Sequence, residues 1–166
     1  MYDSYRVKEK SSLVFILKAL IPYTEANLML AFKPSRFFYE LEKISKHKRH
    51  TLEVAMRKAE KQKLIELKIK QDQTIVQLTK LGQRTVRPFV AEKLGGDAKL
   101  MIIFDIPEEM VLARVKLRRV LRAWRFEQVQ KSVWVTSYNH VASVNELINE
   151  LNIKQYVLLY ECAPVK

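Results

Sequence analysis

The densest group of side chains able to do recognition chemistry lies between Lys46 and Lys61. The sequence there runs Lys46-His47-Lys48-Arg49-His50, and Glu53, Arg57, Lys58 and Lys61 follow at helical spacing. These intervals place cations along one side of a helix whose apolar side is Leu52, Ala55, Met56 and Ala59. Such a rod suits a polyanion. Lys46, Lys48, Lys58 and Lys61 are expected to meet phosphates, which gives sequence-independent affinity that weakens with salt. Arg49, His50, Glu53 and Arg57 are the expected readers of base edges, since arginine pairs bidentately with guanine and glutamate accepts from cytosine. The plainer alternative is a solvated helix face, with some of the charge of Arg57 and Lys61 spent on intrahelical pairs with Glu53, Glu60 or both.

The segments that flank this rod decide how it is held. Leu13, Ile16, Leu17 and Leu20 recur at helical spacing and stop at Pro22. A second helix is expected after Pro34, with Ser35 as its N-cap and Phe37, Phe38, Leu41 and Ile44 as its stripe. The basic turn 45–50 follows, and the third helix starts near Thr51. The period then changes to two. Ile65, Leu67 and Ile69 alternate with Glu66, Lys68 and Lys70, which predicts a half-buried strand. A short turn at Gln71-Asp72-Gln73 leads to a second strand, Thr74–Leu78, and a further helix opens at Thr79 and runs towards Leu94. Three helices and a hairpin in this order predict a winged helix-turn-helix. Its hairpin would carry Lys68, Lys70 and the amides of Gln71 and Gln73 to neighbouring phosphates.

Charge supports the same division of labour. The 166 residues carry a formal net charge of +12, but residues 1–96 hold 20 Lys+Arg against 10 Asp+Glu while residues 97–166 hold 10 against 8. The first part is expected to meet duplex DNA and the second to do something else. Leu94-Gly95-Gly96-Asp97 separates the helical pattern from a β-type run and sets the expected domains at 1–94 and 97–166. The apolar stretch from Ser11 to Phe32 is interrupted by Lys18, Pro22 and Glu25, so it is read as core helix and connection, not as a membrane span or leader. Cys162 is the single cysteine, which excludes an intramolecular disulfide and fits a reducing, cytoplasmic compartment. With three histidines (His47, His50 and His140), a structural zinc site is not expected, and no cofactor is implied.

After the glycines, Leu100-Met101-Ile102-Ile103-Phe104 reads as a central strand ending before Pro107. Glu108 and Glu109 open a helix continued by Val111, Val115, Leu117, Val120, Leu121 and Trp124. Strands follow at Phe126–Gln130 and Val133–Thr136, then a helix over Val141–Leu151 and a strand over Gln155–Glu161. The fold class is therefore α+β: a winged helix-turn-helix followed by a ferredoxin-like βαββαβ domain. One sheet face is left without helices, so a homodimer built on that face or on an edge is expected.

The runs Phe104-Asp105-Ile106-Pro107-Glu108 and Gln130-Lys131-Ser132-Val133-Trp134-Val135, with Arg114, Arg118 and Leu121 between them, resemble the central domain of PaaX-type transcriptional repressors. That domain is in turn similar to the CRISPR-adaptation protein Cas-two, a ferredoxin-like homodimer. Leu78-Thr79-Lys80-Leu81-Gly82 after the hairpin fits the PaaX-type N-terminal domain. The resemblance implies a non-enzymatic regulator, a repressor, with no effector identified. The chain stops at Lys166, short of the further C-terminal region of full-length PaaX-type repressors, so an acyl-CoA response is not expected. The similarity to Cas-two implies an alternative, a Mg²⁺-dependent nuclease or CRISPR-adaptation accessory in which Asp105 residues meet at a dimer interface. Against it, Asp105 is read as a helix cap or a partner of Arg114 or Arg118. A third reading makes the winged helix a protein-interaction module.

Overall fold

The computed structural model describes residues 7–22, 24–70 and 73–165. The chain forms two compact units, Met1–Arg87 and Pro88–Lys166. This division falls earlier than the expected 94/97 boundary. Leu94 N–H donates to Ser137 O and Asn139 N–H donates to Glu92 O, so the segment before the glycines is zipped into the second unit.

The first unit contains α1 (Ser12–Ala19), α2 (Glu25–Phe32), α3 (Pro34–Ile44), α4 (Arg49–Lys61), β1 (Ile65–Lys70), β2 (Gln73–Leu78) and α5 (Lys80–Val86). The stretch expected to be one helix and a connection holds two helices. Ser11 Oγ accepts from Val14 N–H to start α1, and Thr24 Oγ1 accepts from Asn27 N–H to start α2. At α3, Pro34 takes the first helical position, where its missing N–H costs nothing, and the N-cap is Lys33 rather than Ser35. Helix α5 ends at Val86 instead of running to Leu94. Pro88 follows and has no N–H to continue the ladder, so the chain tightens into a 3₁₀ turn. Ile16 and Leu17 of α1 with its C-cap Leu20, Phe37 and Leu41 of α3, and Leu52, Ala55 and Ala59 of α4 share one core with Leu64, Ile65 and Leu78.

The second unit contains β3 (Lys99–Phe104), α6 (Val111–Ala123), β4 (Glu127–Gln130), β5 (Val133–Thr136), α7 (Val141–Glu150) and β6 (Val157–Cys162). Glu108 and Glu109 form a 3₁₀ turn ahead of α6 instead of its first turn. The sheet order is β4-β5-β3-β6 with every neighbouring pair antiparallel. Each helix thus links two parallel strands that have a third strand between them, the split βαβ arrangement expected from the element order. Leu100, Ile102, Phe104 and Trp134 are buried on one sheet face. Helix α6 lies on that face, because the guanidinium groups of Arg118 and Arg122 sit 5.7 and 5.4 Å from the Phe104 and Trp134 rings. On the opposite face Met101, Ile103, Val133 and Val135 are half-buried, and Leu158 and Tyr160 are exposed.

Helices α4, α6 and α7 all end the same way. Lys63, Arg125 and Asn152 follow them with φ of 56°, 64° and 53°. In each case the next N–H reaches back to the helix: Leu64 to Ala59 O, Phe126 to Leu121 O, and Ile153 to Ile148 O. These are Schellman closures, and Leu64, Phe126 and Ile153 are buried against the helix they close. Glycine usually occupies the left-handed position, and a lysine or arginine there costs roughly 1–2 kcal/mol of steric strain.

Candidate nucleic-acid interface

Helix α4 is assembled by contacts distant in sequence. Its N-cap, Lys48, makes no side-chain cap, and the carboxylate of Glu42 on α3 accepts from Arg49 N–H at 2.9 Å instead. A carboxylate at this end also meets the positive end of the helix dipole. That cap explains why the helix starts at Arg49, two residues before the expected Thr51. Leu52 and Ala59 are completely buried and Ala55 nearly so, which fixes the rotation of the helix. The opposite side then presents Arg49, His50, Arg57, Lys58 and Lys61, all exposed, with Glu53 half-buried.

These groups are not equivalent. Arg49 Nε donates to Glu53 Oε1 at 2.9 Å, so Glu53 orients Arg49. Arg57, Lys58 and Lys61 form no ion pair among the described residues, and the expected pairing of Arg57 and Lys61 with Glu53 and Glu60 is not what the side chains adopt. Lys46 and Lys48 are exposed in the turn before the helix. His47 is half-buried with its ring edge against Phe15 at 5.8 Å, a packing role. Val54 was not singled out by sequence periodicity. It stands 44 % exposed amid the cations, one turn from His50 and from Lys58. Only the helical wheel could have found it. His50, Thr51, Val54 and Lys58 line a cavity of about 410 Å³ with Ser11 and Ser12 at the start of α1.

In the hairpin, Ile65 faces Leu78 and both are buried, as the alternation predicts. Two residues on, Leu67 is 53 % exposed, so the hairpin leaves the core rather than lying half-buried along its length. Lys68 is exposed and its ammonium meets Glu66 at 2.9 Å. Gln71 lies outside the described residues. Lys70 and Gln73 are placed opposite each other in the strand register, and nothing beyond that placement is described for them.

Asp105 follows β3 and is exposed; its N–H donates to Tyr156 O. It caps no helix. Arg114 reaches Ile106 O and Arg118 reaches Lys131 O, so neither arginine meets the Asp105 carboxylate as expected. No group of three or more His, Cys, Asp or Glu side chains gathers among the described residues. Asp105 supplies one carboxylate per chain, so the Mg²⁺ site of the nuclease alternative requires the Asp105 of a second copy. Among the described residues no helix is long and apolar enough to cross a membrane.

The chain is thus an α+β protein of two units: a helical one whose basic helix precedes a hairpin, and a split βαβ one. Residues 98–166, most of the second unit, match the family model of the PaaX protein central Cas2-like domain. The resemblance carried by Phe104–Glu108 and Gln130–Val135 is borne out over this segment. No curated protein matches the chain.

Proposed function

We propose that the protein is a non-enzymatic transcriptional regulator that binds duplex DNA sequence-specifically as a homodimer, with the first unit acting as a winged helix-turn-helix. The observation that carries this reading is the two-sidedness of α4. Its apolar side is locked by Leu52, Ala55 and Ala59, and its other side offers exposed cations with a helix before it and a hairpin after it. A helix held this way keeps its side chains in register with a major groove without ordering them at the moment of binding. Lys46, Lys48, Lys58, Lys61, Lys68, Lys70, Gln71 and Gln73 would meet phosphates. Arg49, His50, Glu53 and Arg57 would read bases, with the Arg49–Glu53 pair presenting a donor fork beside an acceptor. Repression is the sign that the resemblance to PaaX-type repressors implies.

The test is selection of bound sites from a random duplex pool, followed by anisotropy titrations on the selected site. Wild-type affinity should fall steeply with salt. Arg49→Ala/Arg57→Ala should weaken the selected site at least about tenfold, since a bidentate base contact contributes ~1–3 kcal/mol of discrimination. Unchanged affinity of that folded double variant at moderate salt overturns the placement of the reading helix. No duplex retained even near 50 mM salt overturns DNA binding in favour of a protein partner.

A further inference from the structure

The second unit holds a cationic pocket that the regulator reading does not use. Lys93, Lys99, Arg125, Glu127, Thr136 and Tyr138 line a cavity of about 210 Å³, three cations against one carboxylate. Its construction is specific. Lys93 stands directly opposite Tyr138 because Leu94 N–H donates to Ser137 O and Asn139 N–H donates to Glu92 O, each at 2.8 Å. In such a pair the two side chains leave the backbone on the same face. The Lys93 ammonium lies 6.0 Å and the Arg125 guanidinium 4.7 Å from the centre of the one Tyr138 ring. Two cations are thus brought to a single phenol, and Lys99 adds a third at the start of β3.

Arg125 reaches this ring from a left-handed backbone position that glycine would adopt more easily. The Thr136 hydroxyl holds both sides of the pocket together: it donates to Arg125 O at 3.1 Å and accepts from Tyr138 N–H at 3.3 Å. The arginine charge is felt behind the ring as well, where burial lowers the pKa of His140 and the positive Arg125 adds to the shift. Three cations against the one Glu127 carboxylate leave the pocket with an excess of positive charge that favours entry of an anion. A planar guanidinium beside two ammonium groups offers a fork and point charges that match tetrahedral oxyanions.

We propose that the pocket formed by Lys93, Lys99 and Arg125 around Tyr138 binds a phosphate group. The group belongs either to a small phosphorylated ligand or to the phosphodiester backbone of nucleic acid. The experiment is calorimetric titration of the full chain with inorganic phosphate at constant ionic strength set by chloride, repeated with a short duplex present. Saturable phosphate binding is expected in the wild type. Lys93→Gln and Arg125→Gly should each weaken it about tenfold or more. Arg125→Gly serves as the fold-preserving variant, because glycine relieves the left-handed strain while deleting the cation. Lys131→Gln, outside the pocket, should bind as wild type. Displacement of phosphate by duplex assigns the site to backbone phosphates, and binding unaffected by duplex assigns it to a free phosphorylated ligand. No saturable binding, or equal binding by wild type and Arg125→Gly, overturns the proposal.

Discussion

His140 shows how a residue's chemistry is set by its surroundings. It is 1 % exposed, and its ring lies within 6.0 Å of the centres of the Trp124, Phe126 and Tyr138 rings. Neither ring nitrogen has a well-formed hydrogen bond. Burial is the main cause that lowers its pKa from 6.5 to about 4, with the positive Arg125 adding to the shift and a marginal contact to the Trp124 backbone opposing it. The folded state therefore keeps His140 neutral where the unfolded chain protonates it. Between about pH 6.5 and 4 the unfolded state binds more protons, so stability falls as pH is lowered through that window and is fully present above it. Urea denaturation across this range should show that loss. His140→Phe, which keeps an aromatic ring in the cage, should flatten it. An equally steep acid limb in the variant would place the titrating group elsewhere.

At the scale of elements, the junction of hairpin and α5 is fixed by close approach. A methyl group built on Gly82 would lie 1.9 Å from Leu64 O, a backbone atom that cannot swing aside. That carbonyl accepts from Thr79 N–H, and the Thr79 hydroxyl donates to Lys63 O while accepting from Gly82 N–H. Gly82→Ala should therefore destabilise by about 3 kcal/mol or more, at the upper end of overpacking effects, read as a lower urea midpoint. Near-wild-type stability would mean that α5 can move off β1. The glycine itself was visible in Thr79-Lys80-Leu81-Gly82, but its reason was not, since Leu64 is brought to it only by the fold. The same distinction runs through the molecule. The second unit was legible element by element because β3 and β5 are short apolar runs bounded by turn residues and its helices carry single stripes. Helix α2 was hidden in a stretch apolar on nearly every side, where the Thr24 cap was the remaining signal. The start of α4 depends on Glu42 and the exposure of Leu67 on the hairpin leaving the core, both tertiary facts. The cations of α4 were legible at the candidate site; Val54 and the Arg125–Tyr138 pocket were not, the latter joining residues far apart in the chain.

At the scale of the whole molecule, the two units divide charge and apolar surface between them. The first carries most of the excess cations, and the second leaves one sheet face without helices. On that face Leu158 sits opposite Ile103 and Tyr160 opposite Met101, with Leu158 55 % and Tyr160 47 % exposed. An exposed apolar face of this kind is a liability in a monomer, and the proposed homodimer would cover it by pairing two copies about a two-fold axis. Pairing also gives the proposed reading helices the symmetry of an inverted repeat, and it makes the second half-site an intramolecular encounter worth roughly 10²–10⁴ in avidity when the geometry allows both. Leu158→Glu places a charge on the face and, by symmetry, a like charge on the other copy. Sedimentation should show a dimer for the wild type and a monomer for the variant, with far-ultraviolet circular dichroism unchanged. Duplex affinity should drop by a comparable factor, while binding to an isolated half-site stays as it was. A variant that remains dimeric would move the contact to a sheet edge, and one that loses its fold would be replaced by Tyr160→Lys, whose longer chain can carry its charge back to solvent in the monomer.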